Sequence, residues 1–162
     1  TLFVAVKESL AQLMPWLPWC HAGYSLTDAA NFIEFGSEGW ADSSEFHFVI
    51  ADARTGELLG GVGLSHVDRT NRMANMGYWT RSNATRRNVA TAAARLVARF
   101  GFEEVGLTRI EIAVMPTNAA SRRVAEKLGA KLESIARNRL VMHGQAHDAA
   151  LYSLVPGDVD VY

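Results

Sequence analysis

The stretch from Asn83 to Phe100, NATRRNVATAAARLVARF, constrains this chain more than any other. Apolar residues recur within it at helical spacing, whereas the segments on either side alternate apolar and polar residues as strands do. The spacing predicts a helix from Asn88 to Val105, with Val89, Ala93, Leu96, Val97 and Phe100 as its buried stripe and Gly106 as the residue that ends it. Arg86 and Arg87 stand just before its first turn. The first N–H groups of a helix lack internal partners, and the helix dipole places partial positive charge there. Two more cations at that end are unfavourable by roughly 0.3–1 kcal/mol each unless an anion sits among them. The pattern therefore reads either as a phosphate-receiving helix end or as a solvated arginine pair.

The rest of the chain alternates between the same two periods. Leu2, Val6, Leu10 and Leu13 predict one helix over residues 1–13, which Pro15 and Pro18 in MPWLPW close. Thr27 and Asp28 are candidate caps for a second helix reaching about Gly39. EFHFVIAD and ELLGGVGLSHVD are strand-like around the turn ARTGE, and MANMGYWTR is a third strand. LTRIEIAVM is a fourth, with Ile110, Ile112 and Val114 on one face. A short helix from Asn118 to Leu128 ends at Gly129, and two final strands flank MHGQAH. The order α-α-β-β-β-α-β-α-β-β implies an α/β (α+β) architecture, a mixed and mostly antiparallel sheet with helical crossovers in its second half.

With 162 residues the chain fits one domain, residues 1–162. It begins without Met inside a helical pattern, so native residues, and with them a first strand, are expected before Thr1. A formal net charge of −1 offers no bulk attraction to nucleic acid or an anionic membrane, and any anion site has to be local. No run of 18 apolar residues exists and the start does not read as a signal peptide. The single cysteine, Cys20, cannot form an internal disulfide, which fits a reducing, cytoplasmic setting. His143, His147 and Asp148 are too few and too loosely spaced for a metal site, so no metal is expected.

From Gly77 to Leu154, and more loosely back to MPWLPW, the sequence resembles the GCN5-related N-acetyltransferases (GNAT), most closely the RimJ/RimL branch that acetylates ribosomal-protein N-termini. GYW, the basic loop, NAAS and HGQAHD…LYSL occur in the order that carries this resemblance. It implies a GNAT-type sheet with helices on both faces and acetyl-CoA as cosubstrate. The diphosphate is expected on Arg86, Arg87, Asn88, Val89, Ala90 and Thr91. Ala90 fits the family's Q/R-x-x-G-x-G/A pattern, while Thr85 and Asn88 depart from it. Asparagine adopts left-handed backbone more readily than most residues and is also a good N-cap. Asn88 thus either keeps the loop's shape or occupies the N–H groups the phosphate needs.

The resemblance further implies that backbone N–H groups near Trp79 and Thr80 bond the thioester arm where this strand splays from RIEIAVM. Gly77 fits a bulge or a close approach there. Asn118 is expected either on the pantetheine arm or as a helix cap, and Ser121 as proton donor near the sulfur. The tyrosine acid of many relatives is replaced by Ala125, for which Tyr152 is a weaker stand-in. Asn75 stands where relatives often carry a glutamate base. Glu111 is then either a base acting through water or an ion-paired carboxylate, and His66 and His143 are further candidates. Trp16 and Trp19 are expected to wall the acceptor cleft or to cap the core.

Near pH 7.5 about a third of an α-amine is neutral, against about 0.1% of lysine, a gap worth roughly 3.4 kcal/mol. A site without a strong base therefore favours a protein or peptide N-terminal amine. A small amine such as a polyamine, and a catalytically silent acyl-CoA-binding domain, are the alternatives; a homodimer stays open.

Overall fold

A computed structural model describes residues 1–159; the last three residues of the expected 1–162 domain lie outside the described residues. In chain order the elements are α1 (Leu2–Glu8), α2 (Leu10–Leu13), α3 (Leu26–Asp42), β1 (Phe46–Ala51), β2 (Leu58–Asp68) and β3 (Met73–Thr80). A 3-10 turn (Ser82–Ala84) precedes α4 (Val89–Glu103), β4 (Arg109–Val114), α5 (Ala119–Lys127), β5 (Lys131–Met142), β6 (Gln145–Leu154) and α6 (Pro156–Val159). One six-stranded sheet has the order β1-β2-β3-β4-β6-β5, and only the β3–β4 pair is parallel. A parallel pair needs a crossover, and α4 supplies it. The result is the mixed, mostly antiparallel sheet expected from the sequence.

Two helix boundaries differ from the sequence reading. The first helix breaks at Ser9, which is buried; its Oγ accepts a hydrogen bond from the Ser82 N–H at 3.0 Å. α3 is capped by Ser25 rather than at Thr27–Asp28. Ser25 Oγ accepts from the Asp28 N–H, and the Asp28 carboxylate accepts from the Ser25 N–H at 2.7 Å, a reciprocal capping box. The last hairpin turns on His143 and Gly144 alone, both at positive φ, as a two-residue primed turn requires.

The main core lies between the sheet and α4–α5. Leu64, Met76, Ile110, Ile112, Leu128, Tyr152 and Leu154 are its largest fully buried members. Ile110, Ile112 and Val114 face it together, as their alternation predicts. A second cluster, Val6, Leu13, Cys20, Tyr24 and Ala29, packs under α1–α3 and reaches the sheet through Trp19 and Trp79. The phase of α4 departs from the expected stripe. Ala94, Val97, Ala98 and Gly101 are buried, whereas Leu96 is 68% exposed. Small residues let this helix approach closely. A Cβ on Gly101 would come within 2.9 Å of Leu64 Cδ1 and 3.2 Å of Ile110 Cδ1. Close approach, rather than the largest side chain, selects the inward face.

Ile110→Ala is expected to lower unfolding free energy by about 2–5 kcal/mol, and Leu96→Ala by less than about 0.5 kcal/mol. Urea denaturation of the two variants checks the buried face of β4 and the outward face of α4.

Candidate functional site

β3 and β4 pair over only three residues each, Met73–Asn75 with Arg109–Glu111. Beyond that point β3 follows β2 as far as Thr80, and β4 follows β6 as far as Val114, so a gap opens between them. The Arg81 N–H donates to the Leu59 carbonyl at 2.7 Å, which sets the phase of the β2–β3 ladder. In an antiparallel pair alternate residues turn both backbone groups toward the partner. Gly77 and Trp79 therefore address β2, while Tyr78 and Thr80 turn N–H and C=O into the gap. The backbone donor expected at Trp79 is thus displaced to its neighbours. Gly77 is not bulged: it sits in register with Gly63, and nothing lies within 4 Å of the place a Cβ would take. The irregularity falls in β2 between Ser65 and Asp68, where His66 has φ 54°.

The loop before α4 begins at the end of β3. Arg81 ties it down through ion pairs to Glu8 and Glu57, and Asn83 Nδ2 donates to Glu57 Oε1 at 3.2 Å. Arg86 (φ 60°) and Asn88 (φ 61°, ψ 15°) are both left-handed. Asn88 therefore does what a glycine would do there, and its side chain makes no cap. None of the described hydrogen bonds uses the N–H of Asn88, Val89, Ala90 or Thr91 as donor. Backbone of this kind forms an anion-binding concavity at a helix N-terminus. Arg86 and Arg87 are exposed beside it.

Across the gap, Asn118 caps α5: its Oδ1 accepts from the Ser121 N–H at 3.2 Å, which leaves Nδ2 uncommitted among the described residues. Tyr78 crosses from β3 to the same turn. Its hydroxyl donates to the Ser121 carbonyl at 2.9 Å and accepts from Ser121 Oγ at 3.3 Å. Burial pushes the Tyr78 phenol up to about 12 despite the opposing bond from Ser121. Tyr152 belongs to the core rather than the site. It is fully buried, accepts from Arg122 Nε at 3.0 Å and donates to Glu126.

Glu111 is the ion-paired carboxylate of the two alternatives, bonded by Arg109 at 2.9 Å and lying 3.5 Å from Arg139. Its two oxygens are engaged by these two guanidinium groups, and Glu111 does not line the cavity that runs through the gap. His143 is on the exposed hairpin turn against the Met14 carbonyl, 2.8 Å away. Burial pushes the Cys20 thiol up, which makes it a packing residue and not a nucleophile.

A cavity of about 1490 Å³ runs through the gap. Ala90, Ser121 and Val124 line it on the α4–α5 side, and Trp16, Trp19 and Asn75 on the other. Trp19 also packs on the α1–α3 cluster and meets the Trp79 ring edge-on at 6.1 Å. Tyr78, Glu45 and His47 also line this cavity and were not singled out in the sequence. Glu45 and His47 stand two apart at the start of β1, a spacing that puts both on one face. Tyr78 carried no local signal, because its partner is 43 residues away. Among the described residues no group of three or more His, Cys, Asp or Glu gathers as a metal site, and no helix is long and apolar enough to cross a membrane.

Residues 3–131 match the model of the acetyltransferase (GNAT) domain. The chain belongs to the GNAT acetyltransferase family. Among its relatives is YdaF of Bacillus subtilis (strain 168), whose name assigns it provisionally as a ribosomal N-acetyltransferase. The two are 37% identical over 100 residues, 62% of this chain and 55% of YdaF. YjcK of the same organism, named a probable N-acetyltransferase, is 36% identical over 115 residues, 70% of this chain and 64% of YjcK. The chain thus spans between half and two thirds of these GNAT relatives. The solved structure of Mycobacterium smegmatis RimJ in complex with a CoA disulfide superposes with a TM-score of 0.86 at 26% identity, over 97% of this chain and 77% of that one.

The Tyr78 value has a pH consequence. An ordinary phenol ionises near 10.0, so the unfolded chain releases this proton first. The stabilisation is complete below pH 10 and is lost as pH rises through about 12. In an ultraviolet phenolate titration, Tyr78→Phe is expected to remove a late-titrating component near pH 12 and leave the earlier ones in place.

Proposed function

We propose that this chain moves the acetyl group of acetyl-CoA to a primary amine by direct attack, with the α-amine of a protein or peptide N-terminus as acceptor. The observation that carries this reading is the conjunction of two features on one cavity: an uncapped, left-handed helix entrance with free N–H groups, and a strand gap into which Tyr78 and Thr80 turn unpaired backbone. The names of YdaF and of RimJ, the latter solved with a CoA disulfide, support the same class. A cytoplasmic setting and a single acetyltransferase domain belong to this reading; the free, buried Cys20 and the extent of the family match support them.

The residues present fit the diphosphate and its arm. The N–H groups of Asn88–Thr91 would hold the diphosphate, with Arg86 and Arg87 supplying the charge that makes two cations at this helix end favourable. Backbone groups of Tyr78 and Thr80 and the Asn118 amide would hold the arm. When bound, acetyl-CoA supplies an acetyl group activated as a thioester. Ser121 and Tyr78 would form the hydroxyl pair beside the departing sulfur. A phenol near 12 is about 3.5 units weaker than an ordinary thiol, so full transfer of its proton to a thiolate is uphill by roughly 5 kcal/mol. Both hydroxyl hydrogens are committed here, that of Tyr78 to the Ser121 carbonyl and that of Ser121 to the phenol oxygen, so Ser121 would serve as the donor by turning its Oγ hydrogen from Tyr78 to the sulfur. On the acceptor side Trp16 and Trp19 wall the cleft and Asn75 offers an amide for the incoming peptide.

The test compares thiol release from acetyl-CoA with three acceptors near pH 7.5: a peptide with a free N-terminus and no lysine, an N-blocked peptide with one lysine, and a polyamine. The free N-terminus is expected to react at least tenfold faster than lysine. Faster lysine or polyamine acetylation overturns the acceptor assignment, and binding without turnover on any amine favours a silent acyl-CoA-binding domain.

A further inference from the structure

We propose that Glu45 and His47 form the proton acceptor for the incoming amine, a role that rests on the acetyltransferase reading above. His47 Nε2 lies 3.1 Å from Glu45 Oε2, and the other carboxylate oxygen accepts from the His66 N–H at 3.1 Å. With the carboxylate as acceptor, Nε2 carries the hydrogen and Nδ1 keeps a lone pair. No described hydrogen bond uses Nδ1. No buried side-chain nitrogen or oxygen among the described residues lacks a partner, so an unbonded Nδ1 is one that solvent or ligand reaches.

The sheet register gives this lone pair a path to the gap. His47 is paired with Gly63, and Gly63 with Gly77, so the three residues form one row across β1, β2 and β3 on the same face. Nδ1 lies over Gly63, 2.6 Å from where its Cβ would be, and the place of a Cβ on Gly77 is open. Two glycines in succession leave the floor uncovered from the imidazole to the mouth of the β3–β4 gap. Two strand spacings make that distance about 9–10 Å between the Cα atoms of His47 and Gly77. The imidazole covers part of it, and an amine or a water fills the remainder. His47, Gly63 and Gly77 line the same cavity as Ser121.

The environment holds the ring in place. From α3 Phe32 packs edge-on at 5.1 Å and Phe35 at 6.1 Å, with Gly36 beside Cδ2, and Trp40 Nε1 donates to the His47 carbonyl at 3.1 Å. Among the described residues the ion pair to the imidazole comes from Glu45, and the His66 bond to the same carboxylate is made by its backbone N–H.

An ammonium group passes one proton to Nδ1, and the imidazolium is paired with the Glu45 carboxylate. The freed nitrogen lone pair bonds to the acetyl carbonyl carbon. The carbon–sulfur bond breaks with its electrons on sulfur, which ends as thiol with the second amine proton. The first proton leaves His47 for solvent.

His47→Gln, Glu45→Gln and the parent are compared by calorimetric titration with acetyl-CoA and by thiol release with a free-N-terminus peptide at pH 7 and pH 9.5. His47→Gln is expected to bind acetyl-CoA within about threefold of the parent. Its kcat/KM should fall about five- to tenfold at pH 7, where roughly a tenth of the α-amine is neutral unaided, and less than about twofold at pH 9.5, where nearly all of it is. Glu45→Gln follows the same pattern with a smaller loss, and decides the question if His47→Gln does not fold. An equal loss at both pH values, or a rate at pH 7 above a third of the parent's, overturns the proposal. A parent that binds no acetyl-CoA or acetylates no amine overturns the enzymatic reading and this one with it. An active parent with an unaffected His47→Gln overturns only the base.

Discussion

The structure depends on backbone pairing that stops early. β3 and β4 share three register positions and then part, and every feature of the site follows from that separation. Unpaired backbone N–H and C=O groups away from water are costly, so a gap exposing those of Tyr78 and Thr80 has to be wet or filled by a ligand. The parallel pairing that precedes the gap requires a crossover, and α4 is that crossover. The same topological step that opens the gap therefore brings a helix N-terminus to the end of β3. Tyr78 spans the opening on the core side and ties β3 to the first turn of α5. On the opposite face Gly63 and Gly77 leave the sheet bare.

The loop between these parts stores strain for a reason that charge makes plain. Left-handed backbone at a non-glycine residue costs about 1–2 kcal/mol, less for asparagine, and the loop has two such residues, Arg86 and Asn88. Strain of this size persists where the surroundings over-determine the conformation. Here Arg81 is clamped between Glu8 and Glu57, and Ser82 is bonded to Ser9. The result is a set of N–H groups without partners among the described residues, beside two exposed arginines, an arrangement that an anion stabilises and water serves less well. Ser9, at the break between α1 and α2, thus shapes a loop 73 residues further along the chain.

Much of this was legible in the sequence where a local pattern decided it. Ile110, Ile112 and Val114 marked their strand, the arginines and Asn88 marked the helix entrance, and the order of elements fixed a mixed sheet. The failures share one physical cause, partners distant in sequence. The break in the first helix falls at Ser9, whose Oγ accepts from the Ser82 N–H. The inward face of α4 is chosen by how close Ala94, Ala98 and Gly101 allow the sheet to come, so Leu96 points outward. Glu111 loses its candidacy partly to Arg139, from the far hairpin. Tyr78 carries no signal of its own in the sequence, because only the topology sets α5 beside it. The Glu45–His47 spacing was visible in EFH, but its meaning needed the register that aligns His47 with two glycines.

The most direct test of the account separates the diphosphate from the arm that carries it. Calorimetric titration of the intact chain with CoA, with dephospho-CoA and with pantetheine does this. Dephospho-CoA keeps the diphosphate, and pantetheine lacks it. The account predicts that CoA and dephospho-CoA bind with affinities within about tenfold of one another, and that pantetheine binds at least 100-fold more weakly. Pantetheine binding as tightly as CoA, or no association of CoA at millimolar concentration, would contradict it.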